Sequence, residues 1–306
     1  MDGIHKPVLI SEVIEYLSPK PGQRFVDATA DGGGHVMAVL ERIVPEGRLL
    51  GIEWDSQLLE NLKFKIENLK LSQNVVLVND SYVNLKKISE ENGFEGVDGV
   101  LFDLGMSSWH VDVAGRGFTF QKEEPLDMRY GNTEGGLTAE DIVNHWSYDD
   151  LAKIFKEYGE ERFAKLIAAR IVRSRRELRI KTTFQLVEII KSAVPFWYRR
   201  GRIHFATRSF QAIRIAVNDE LNNVKSGLEQ AVDVLGIGGR LAVISFHSLE
   251  DRIVKNFMRS LASDGQVEII TKKPVIAGLS EITVNPRARS AKLRIAQKLT
   301  ERNASV

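Results

Sequence analysis

The stretch that most constrains the possible fold of this chain is Arg24-Phe-Val-Asp-Ala-Thr-Ala-Asp-Gly-Gly-Gly-His35. Residues 24–27 at its beginning, with Phe25 and Val26 in the middle, predict a short buried strand, and a glycine turn leads from there into an apolar helical pattern that runs to Ile43. Glycines at such a turn let the backbone approach a ligand closely, and the start of a helix offers N–H groups to an anion. This stretch therefore predicts a strand–turn–helix unit with a ligand at its turn.

The alternation of strands and helices continues after this unit. Segment 47–52 predicts a strand that ends on Glu53, where an acidic residue is placed to bind the hydroxyl groups of a ribose. Segments 74–79 and 96–102 predict two more strands, the second ending at Asp103, with helical patterns between them. Such alternation predicts an α/β fold with a mostly parallel sheet, whose ligands bind outside the C-terminal strand ends. We therefore expect a nucleoside-cofactor site near Asp27, Glu53 and Asp103.

The pattern changes after the fourth strand. Residues 104–136 contain six glycines and no sustained periodicity, which is long for a loop without a function. Helical patterns follow, and they predict an inserted α-helical domain over residues 137–203 between two parts of the α/β domain, 1–136 and 204–306. Later segments predict one long helix over 206–235, a strand over 240–246 and an antiparallel edge strand within 285–296.

The charge of the chain is unevenly distributed. Residues 151–214 carry 16 Lys and Arg against 5 Glu and no Asp, an excess of 11 that leaves about −10 for the remainder of a chain whose net charge is +1. Arginines could form only a solvated helix face, but arginines interleaved with Phe196, Trp197 and Tyr198 are typical of phosphate contact with base stacking. We predict nucleic-acid contacts at Arg173, Arg176, Arg199, Arg200, Arg287 and Arg289.

The composition of the chain limits which kinds of site and which cellular compartments we expect. The absence of cysteine excludes disulfides and thiolate metal sites, and no apolar run reaches the ~18–20 residues that span a bilayer. The first residues lack the pattern of a secretion signal. We expect a cytoplasmic protein that contacts no membrane and holds no metal, and a homodimer is left open. Two interpretations are open for His247 and Glu250. The pair could be an acid–base or metal-binding group, or it could simply be the start of a helix.

The phrase Leu101-Phe-Asp-Leu-Gly-Met-Ser-Ser108 carries the candidate catalytic groups. Asp103 could be only a turn former, but it ends a strand beside the predicted crevice. Its carboxylate, with the hydroxyls of Ser107 and Ser108 and open backbone carbonyls, can accept hydrogen bonds from an amino group. The lone pair on the exocyclic amine of a nucleobase is delocalised into the ring, which makes the amine a poor nucleophile. Such acceptors would help to localise this lone pair on the nitrogen while an electrophilic methyl group faces the amine.

Several further phrases resemble one known family when they are taken together. They are His5-Lys-Pro-Val-Leu9, Gly33-Gly-His35, Arg116-Gly-Phe-Thr-Phe120, Pro125-Leu-Asp-Met-Arg129, Phe205-Ala-Thr-Arg208, Val217-Asn-Asp-Glu-Leu221, Val243-Ile-Ser-Phe-His-Ser-Leu-Glu-Asp-Arg252 and Asn285-Pro-Arg-Ala-Arg-Ser290. The chain thus resembles the ribosomal RNA small subunit methyltransferase H family, also called the MraW family. The resemblance implies a Rossmann-like methyltransferase that transfers a methyl group from S-adenosylmethionine to N4 of a cytosine in 16S ribosomal RNA, in the decoding region of the small subunit.

The resemblance also implies where the cofactor binds. It places cofactor contacts at the glycine turn, at the acidic end of strand two, at an aromatic after strand three and at the aspartate of the Asp-Leu-Gly phrase. In this sequence those positions are Gly33, Gly34, His35, Glu53, Tyr82 and Asp103. A further cofactor contact is expected at His110, which follows Trp109 and replaces a glutamine of the family.

Three departures from the family pattern cluster at this site. Asp31 stands where the family usually has glycine, Glu53 replaces an aspartate and His110 replaces a glutamine. They bear on cofactor affinity more than on the fold or the substrate. One alternative is therefore a ribosome-binding or assembly protein with this fold and weakened or lost catalysis. Another, a dinucleotide oxidoreductase, relies on the glycines and Glu53 alone and leaves the basic insertion unexplained.

Overall fold

The protein is described by a computed structural model that covers residues 7–131 and 135–300, so His5 and Lys6 of the family phrase lie outside the described residues. The chain forms two compact units. One, the sheet unit, combines Met1–Ser107 with Leu221–Val306, and the other, the helical unit, is Ser108–Glu220. Among the residues that the structure covers, no helix is both long and apolar enough to cross a bilayer.

A seven-stranded sheet forms the centre of the sheet unit, with the strand order β3-β2-β1-β4-β5-β7-β6. The first five strands run parallel, and β7 is antiparallel to both of its neighbours. The α/β fold with a mostly parallel sheet is therefore confirmed. The strands are β1 Arg24–Asp27, β2 Arg48–Glu53, β3 Val75–Asn79, β4 Val97–Asp103, β5 Leu235–Ser245, β6 Val267–Ile269 and β7 Lys292–Lys298.

The helices of the sheet unit cover both faces of the sheet. Because side chains alternate along a strand, Phe25, Leu49 and Leu101 pack on one face with α1, α2 and α3. Val26 and Leu50 pack on the other face with α4, α12 and α13. The helices are α1 Ile10–Leu17, α2 Gly34–Ile43, α3 Ser56–Asn68, α4 Leu85–Asn92, α12 Glu220–Val234, α13 Ser248–Ser263 and α14 Leu279–Val284.

The predicted position of the last strand was wrong. β7 pairs with β5 on one side and with β6 on the other, so it lies inside the sheet and the short β6 forms the edge. Leu293 and Ile295 of β7 are fully buried, which fits an interior strand. Lys292 and Arg294, two basic residues of this strand, form ion pairs with Asp251 at 3.2 and 2.7 Å.

The helical unit has its own apolar core. Phe155, Ile167 and Leu186 lie at its centre, together with Met128 from the preceding loop and Phe210 from the last helix. Those two flanking contributions explain why the unit, 108–220, is wider than the predicted insertion, 137–203. Its helices are α5 Ser108–Asp112, α6 Ala139–His145, α7 Tyr148–Glu157, α8 Ala164–Ser174, α9 Thr183–Ala193, α10 Phe196–Arg199 and α11 Thr207–Asn218.

The single long helix predicted over 206–235 was also wrong. Asp219 has a φ of 48° and separates α11 from α12. Aspartate adopts this left-handed conformation more readily than most residues, and the apolar periodicity continues through it, so the sequence pattern does not reveal the break. Arg214 and Glu220 join the two sides of the break through a buried bidentate ion pair at 2.8 and 2.9 Å.

Candidate functional site at the strand ends

Three acidic residues end neighbouring strands of the sheet. Asp27, Glu53 and Asp103 are the last residues of β1, β2 and β4, and β1 lies between the other two strands. Parallel pairing aligns Asp27 with Gly51 on one side and with Leu101 on the other. Because C-terminal ends of parallel strands meet at one edge, the three side chains belong to the same edge of the sheet. We call Asp27, Asp31, Glu53 and Asp103 the carboxylate cluster.

Glu53 holds the glycine turn in place. One carboxylate oxygen accepts a hydrogen bond from the N–H of Asp31 at 2.8 Å, and the other accepts from the N–H of Asp55 at 2.7 Å. Asp55 in turn caps α3 by accepting from the N–H of Gln57 at 2.9 Å. A carboxylate oxygen has a second lone pair, so Glu53 can orient the turn and still accept from the hydroxyls of a ligand.

Thr29 links two of the strand ends. Its N–H donates to Asp27 at 3.1 Å, and its hydroxyl oxygen accepts from the N–H of Asp103 at 2.6 Å. The hydroxyl thus fixes the start of the loop after β4 relative to the turn after β1. Sequence reasoning missed Thr29, although a hydroxyl residue two positions after an aspartate in a turn is a recognisable local hydrogen-bonding pattern.

The turn itself depends on unusual backbone geometry. Asp31 has a φ of 49°, and Gly33, the residue before α2, has a φ of 79°. A Cβ atom at Gly33 would collide with Leu62 of α3, and one at Gly34 would collide with the ring of Pro7. At both glycines the space of a side chain is thus filled by a neighbouring residue, and their contacts with a cofactor remain predictions.

His35 and Asp103 form a buried contact. The His35 ring lies with Nε2 3.0 Å from the carbonyl oxygen of Val8 and Nδ1 3.5 Å from a carboxylate oxygen of Asp103. Because a carbonyl oxygen only accepts, Nε2 carries a proton, and an attractive contact at Nδ1 requires a second proton on Nδ1 or on Asp103. The two side chains are only 5% and 6% exposed, and Asp103 Oδ1 has no hydrogen-bond partner among the described residues.

Burial and mutual repulsion hold protons in the carboxylate cluster. Burial, together with the negative charge of Asp31, raises the pKa of Asp27 to about 7 and that of Glu53 to about 8. The pKa of Asp103 is also well above its usual range, because the carboxyl is buried and lies near the charges of Asp31, Asp27 and Glu250. Such a cluster attracts a positively charged ligand, which would replace some of these protons.

Tyr82 and Ser107 lie in the same unit. Tyr82 begins a short 3₁₀ helix after β3, and its half-buried ring meets the ring of Phe102 edge to face, with centroids 5.5 Å apart. Ser107 is buried at the end of the loop that follows β4. Their predicted roles, contact with the cofactor for Tyr82 and with the substrate amine for Ser107, remain predictions.

Two predicted site residues lie in the helical unit instead. Ser108 begins α5 and is half-buried. His110 is buried, and its ring centroid lies 5.1 Å from that of Phe118 and 5.0 Å from that of Tyr130. His110 is thus part of an aromatic cluster of the helical unit, and its predicted contact with the cofactor remains a prediction.

His247 occupies the start of a helix. It is the N-cap of α13, where its Nδ1 accepts from the N–H of Glu250 at 3.3 Å, and the Glu250 carboxylate accepts from the N–H of His247 at 3.3 Å. This reciprocal arrangement is a capping box, so the structure favours the helix-start interpretation of the two open at this position.

The predicted RNA-binding arginines differ in exposure. Arg173 and Arg176 are exposed at the C-terminal end of α8, whereas Arg199 is half-buried and donates to the carbonyl oxygen of Val194 at 3.1 Å. Arg200 is exposed, and its guanidinium lies 4.4 Å from the centroid of the Phe196 ring. In the sheet unit, Arg287 is half-buried and Arg289 exposed, both in the 3₁₀ helix Pro286–Ser290.

Comparison with known proteins identifies the family. A model of the MraW methylase family matches residues 2–299. Proteins named ribosomal RNA small subunit methyltransferase H are similar along almost the whole chain. That of Geobacter sulfurreducens is 47% identical, covering 96% of this chain and 99% of its own, and that of Halothermothrix orenii is 46% identical, covering 96% and 98%.

A solved structure shows the same fold at low sequence identity. It is that of a Clostridium thermocellum protein assigned provisionally as an rRNA methylase, with a TM-score of 0.50 and 12% identity over 97% of this chain and 99% of that one. This likeness concerns the fold alone, whereas the family match rests on the sequence of nearly the entire chain. The chain belongs to the MraW methylase family, a family of S-adenosylmethionine-dependent methyltransferases.

Proposed function

We propose that this protein transfers a methyl group from S-adenosylmethionine to the exocyclic N4 amine of a cytosine in 16S ribosomal RNA, in the decoding region of the small subunit. The proposal is supported by the family and by the name of the similar proteins. The structural observation that carries it is the buried carboxyl of Asp103, whose Oδ1 has no hydrogen-bond partner within the described residues.

The carboxylate cluster fits this cofactor. S-adenosylmethionine carries a positive sulfonium and a positive ammonium group, and buried carboxyls of raised pKa stabilise such charges when they ionise. Glu53 would bind the ribose hydroxyls, the turn at Gly33 to His35 the amino-acid end, and Tyr82 with Asp103 the adenine side. When bound, the sulfonium supplies the electrophilic methyl group.

Asp103 would also act on the amine. The lone pair of a cytosine amine is delocalised into the ring, and a hydrogen bond from the amine to Oδ1 helps to localise it. The base must leave its stack to reach this position, and Ser107 and Ser108 offer further acceptors. When the methyl group is transferred to it, the amine would lose a proton, and the ionised Asp103 would take that proton up. Alignment of the two reactants would supply much of the acceleration, ~7–11 kcal/mol.

The helical unit would hold the RNA around the target base. Arg173, Arg176 and Arg200 are exposed there, and the segment 151–214 carries the positive excess. Contacts between arginine and phosphate depend on charge and not on sequence, so they would position the substrate and leave selection of the base to the strand-end site.

Methyl transfer tests the proposal. Small ribosomal subunits that lack the modification are incubated with labelled S-adenosylmethionine and wild-type protein, Asp103→Asn or the surface control Glu60→Gln. We expect label on cytosine N4 with wild type and control, and a rate lower by about 10²–10⁴ with Asp103→Asn, because the amide oxygen still accepts a hydrogen bond from the amine but cannot take up its proton. Absence of label on cytosine N4, while a second methyltransferase labels the same subunits, would overturn the proposal.

A second candidate is a ribosome-binding or assembly protein that has lost efficient catalysis. The observation behind it is Asp31, which stands where the resemblance leads us to expect glycine. Its charge adds to the effect of burial in raising the pKa of three neighbouring carboxyls. Calorimetry with S-adenosylmethionine separates the two candidates. A binding-only protein gives no heat with the cofactor and still binds the small subunit, whereas the enzyme gives a saturable heat signal.

A further inference from the structure

One surface of the helical unit exposes adjacent aromatic rings. Phe196 and Trp197 of α10 are 62% and 58% exposed. Single exposed apolar residues are common on protein surfaces, but here two large rings at successive positions of one short helix are exposed to water. We call the surface formed by Arg162, Phe163, Phe196, Trp197 and Arg200 the aromatic–arginine surface.

A buried hydrogen bond and two ring contacts support α10, which carries these rings. The hydroxyl of Tyr198 donates to the buried carboxylate of Glu161 at 2.8 Å. The ring of Phe163 lies 4.9 Å from that of Tyr198 and 5.8 Å from that of Trp197, with edge-to-face geometry in both pairs. Trp197 is therefore exposed because its neighbours hold the backbone of α10 in this position, and not because the segment lacks packing.

Arginines lie over the exposed rings. The Arg162 guanidinium is 5.4 Å from the centroid of Trp197, and the Arg200 guanidinium is 4.4 Å from the centroid of Phe196. Within residues 7–131 and 135–300, neither guanidinium forms an ion pair with a carboxylate, and Glu161 is engaged by Tyr198. The surface therefore combines exposed aromatic rings with two guanidinium groups that form no ion pair among the described residues.

This combination suits an unpaired nucleotide. A base can stack on an aromatic ring, while guanidinium groups beside the ring contact its phosphates. Tryptophan and arginine are also enriched in protein–protein interfaces, but the excess of 11 positive charges over residues 151–214 favours a polyanion. A duplex keeps its bases stacked internally and offers no free base face to Trp197.

We infer that the aromatic–arginine surface is a stacking platform for an unpaired base of single-stranded RNA, at a site separate from the carboxylate cluster. The inference rests on the proposed function in that it takes RNA as the substrate. It assigns the binding contribution to Phe196, Trp197, Arg162 and Arg200, and the predicted RNA contact of Arg199, which donates to the carbonyl oxygen of Val194, stays a prediction.

Direct RNA binding by the full-length protein tests the inference. The probe is a short unstructured RNA labelled at one end, compared with a duplex of the same sequence, and the Kd is measured by fluorescence anisotropy at one salt concentration. Trp197→Leu should raise the Kd for the single strand at least about fivefold and leave the Kd for the duplex unchanged. Trp197→Phe should retain most of the affinity, because it keeps an aromatic face.

Phe184→Leu is the matched control. Phe184 lies on α9 of the same unit, is 43% exposed and has no arginine over its ring among the described residues. The control should leave the Kd unchanged, and the melting temperatures of the variants should stay close to wild type because both side chains are on the surface. An unchanged Kd in Trp197→Leu, or a loss of self-association instead of RNA affinity, would overturn the inference.

Methyl transfer measured in parallel separates the two proposals. If wild-type protein labels the small subunit and Trp197→Leu raises KM without changing kcat, both proposals are supported. If wild-type protein binds the single strand through Trp197 but labels no subunit, the proposed function fails and the platform stands. If labelling occurs and Trp197→Leu changes neither Kd nor KM, the platform fails alone.

Discussion

The single carboxylate of Asp31 influences the protonation of the other three members of the carboxylate cluster. Its charge contributes to the raised pKa of Asp27, Glu53 and Asp103, although burial is the larger cause for each of them. Its backbone also adopts a φ of 49°, which favours glycine. Asp31 thus combines backbone strain with charge repulsion at a single position.

Replacing Asp31 with glycine should stabilise the protein, and more so at high pH. Carboxyls whose pKa is raised on folding stabilise the fold at low pH, and that stabilisation is lost as the pH rises through the folded values, about 7 for Asp27 and about 8 for Glu53. Removing the charge of Asp31 lowers these values, so less stability is lost. The increase in melting temperature of Asp31→Gly over wild type should therefore be larger at pH 9 than at pH 5.

Asp219→Gly provides the control for the backbone contribution. Asp219 has nearly the same φ, 48°, but lies outside the carboxylate cluster. Its effect on the melting temperature should be similar at both pH values. An equal gain at pH 5 and pH 9 for Asp31→Gly would show that only the backbone strain matters at that position.

At the scale of elements, the junction of the glycine turn with α2 carries the most constraints. Gly33 precedes the helix with a positive φ, and its missing side chain leaves space for Leu62 of α3. Glu53 of β2 fixes the same turn through the N–H of Asp31. Two strands and two helices are therefore packed around one segment of backbone.

Gly33→Ala should destabilise the protein more than Gly22→Ala. Both glycines have a φ near 80°, so both substitutions cost about 1–2 kcal/mol for the left-handed conformation. Only at Gly33 would the new methyl group collide with another residue, which adds about 1–3 kcal/mol. Chemical denaturation of the two variants measures the difference, and equal losses of unfolding free energy would contradict the packing role of Gly33.

The elements of the parallel half of the sheet were predictable because short apolar runs, turn residues and helical periods alternate there. β1 agrees with the predicted strand at both ends, and β2 and β4 each begin one residue later. The break at Asp219 was not predictable because the apolar periodicity continues through it, and the interior position of β7 was not predictable because it depends on pairing with β5 and β6. The same holds within the site: the strand-end acids follow from topology, but Thr29 and the crowding of Gly34 by Pro7 need coordinates.

At the scale of the whole molecule, the carboxylate cluster couples ligand binding to pH. A cation that binds there favours the ionised carboxyls and lowers their pKa. Because Asp27 and Glu53 have pKa values of about 7 and 8 without a ligand, they are partly protonated near neutral pH. Binding of the proposed cofactor should therefore expel protons.

Calorimetry in buffers of different ionisation enthalpy measures this release. At pH 7 we expect the observed heat of S-adenosylmethionine binding to depend on the buffer, with a proton released into solution. Affinity should rise as the pH increases from 6 to 8 and then level off, because the carboxyls are already ionised at higher pH. Heats that are independent of the buffer at pH 7 would contradict a role for these carboxyls in holding the cofactor's charge.

The insertion of the helical unit between β4 and β5 has a consequence for biosynthesis. β4 pairs with β1 on one side and with β5 on the other, where Asp103 aligns with Ile244. The edge of β4 that pairs with β5 therefore stays unpaired until β5 has been synthesised. At about 5–20 residues per second, the ribosome needs several seconds or more to translate the intervening segment. During that time the helical unit can fold alone, while the exposed edge of β4 is the part of the nascent chain most open to aggregation and to chaperones.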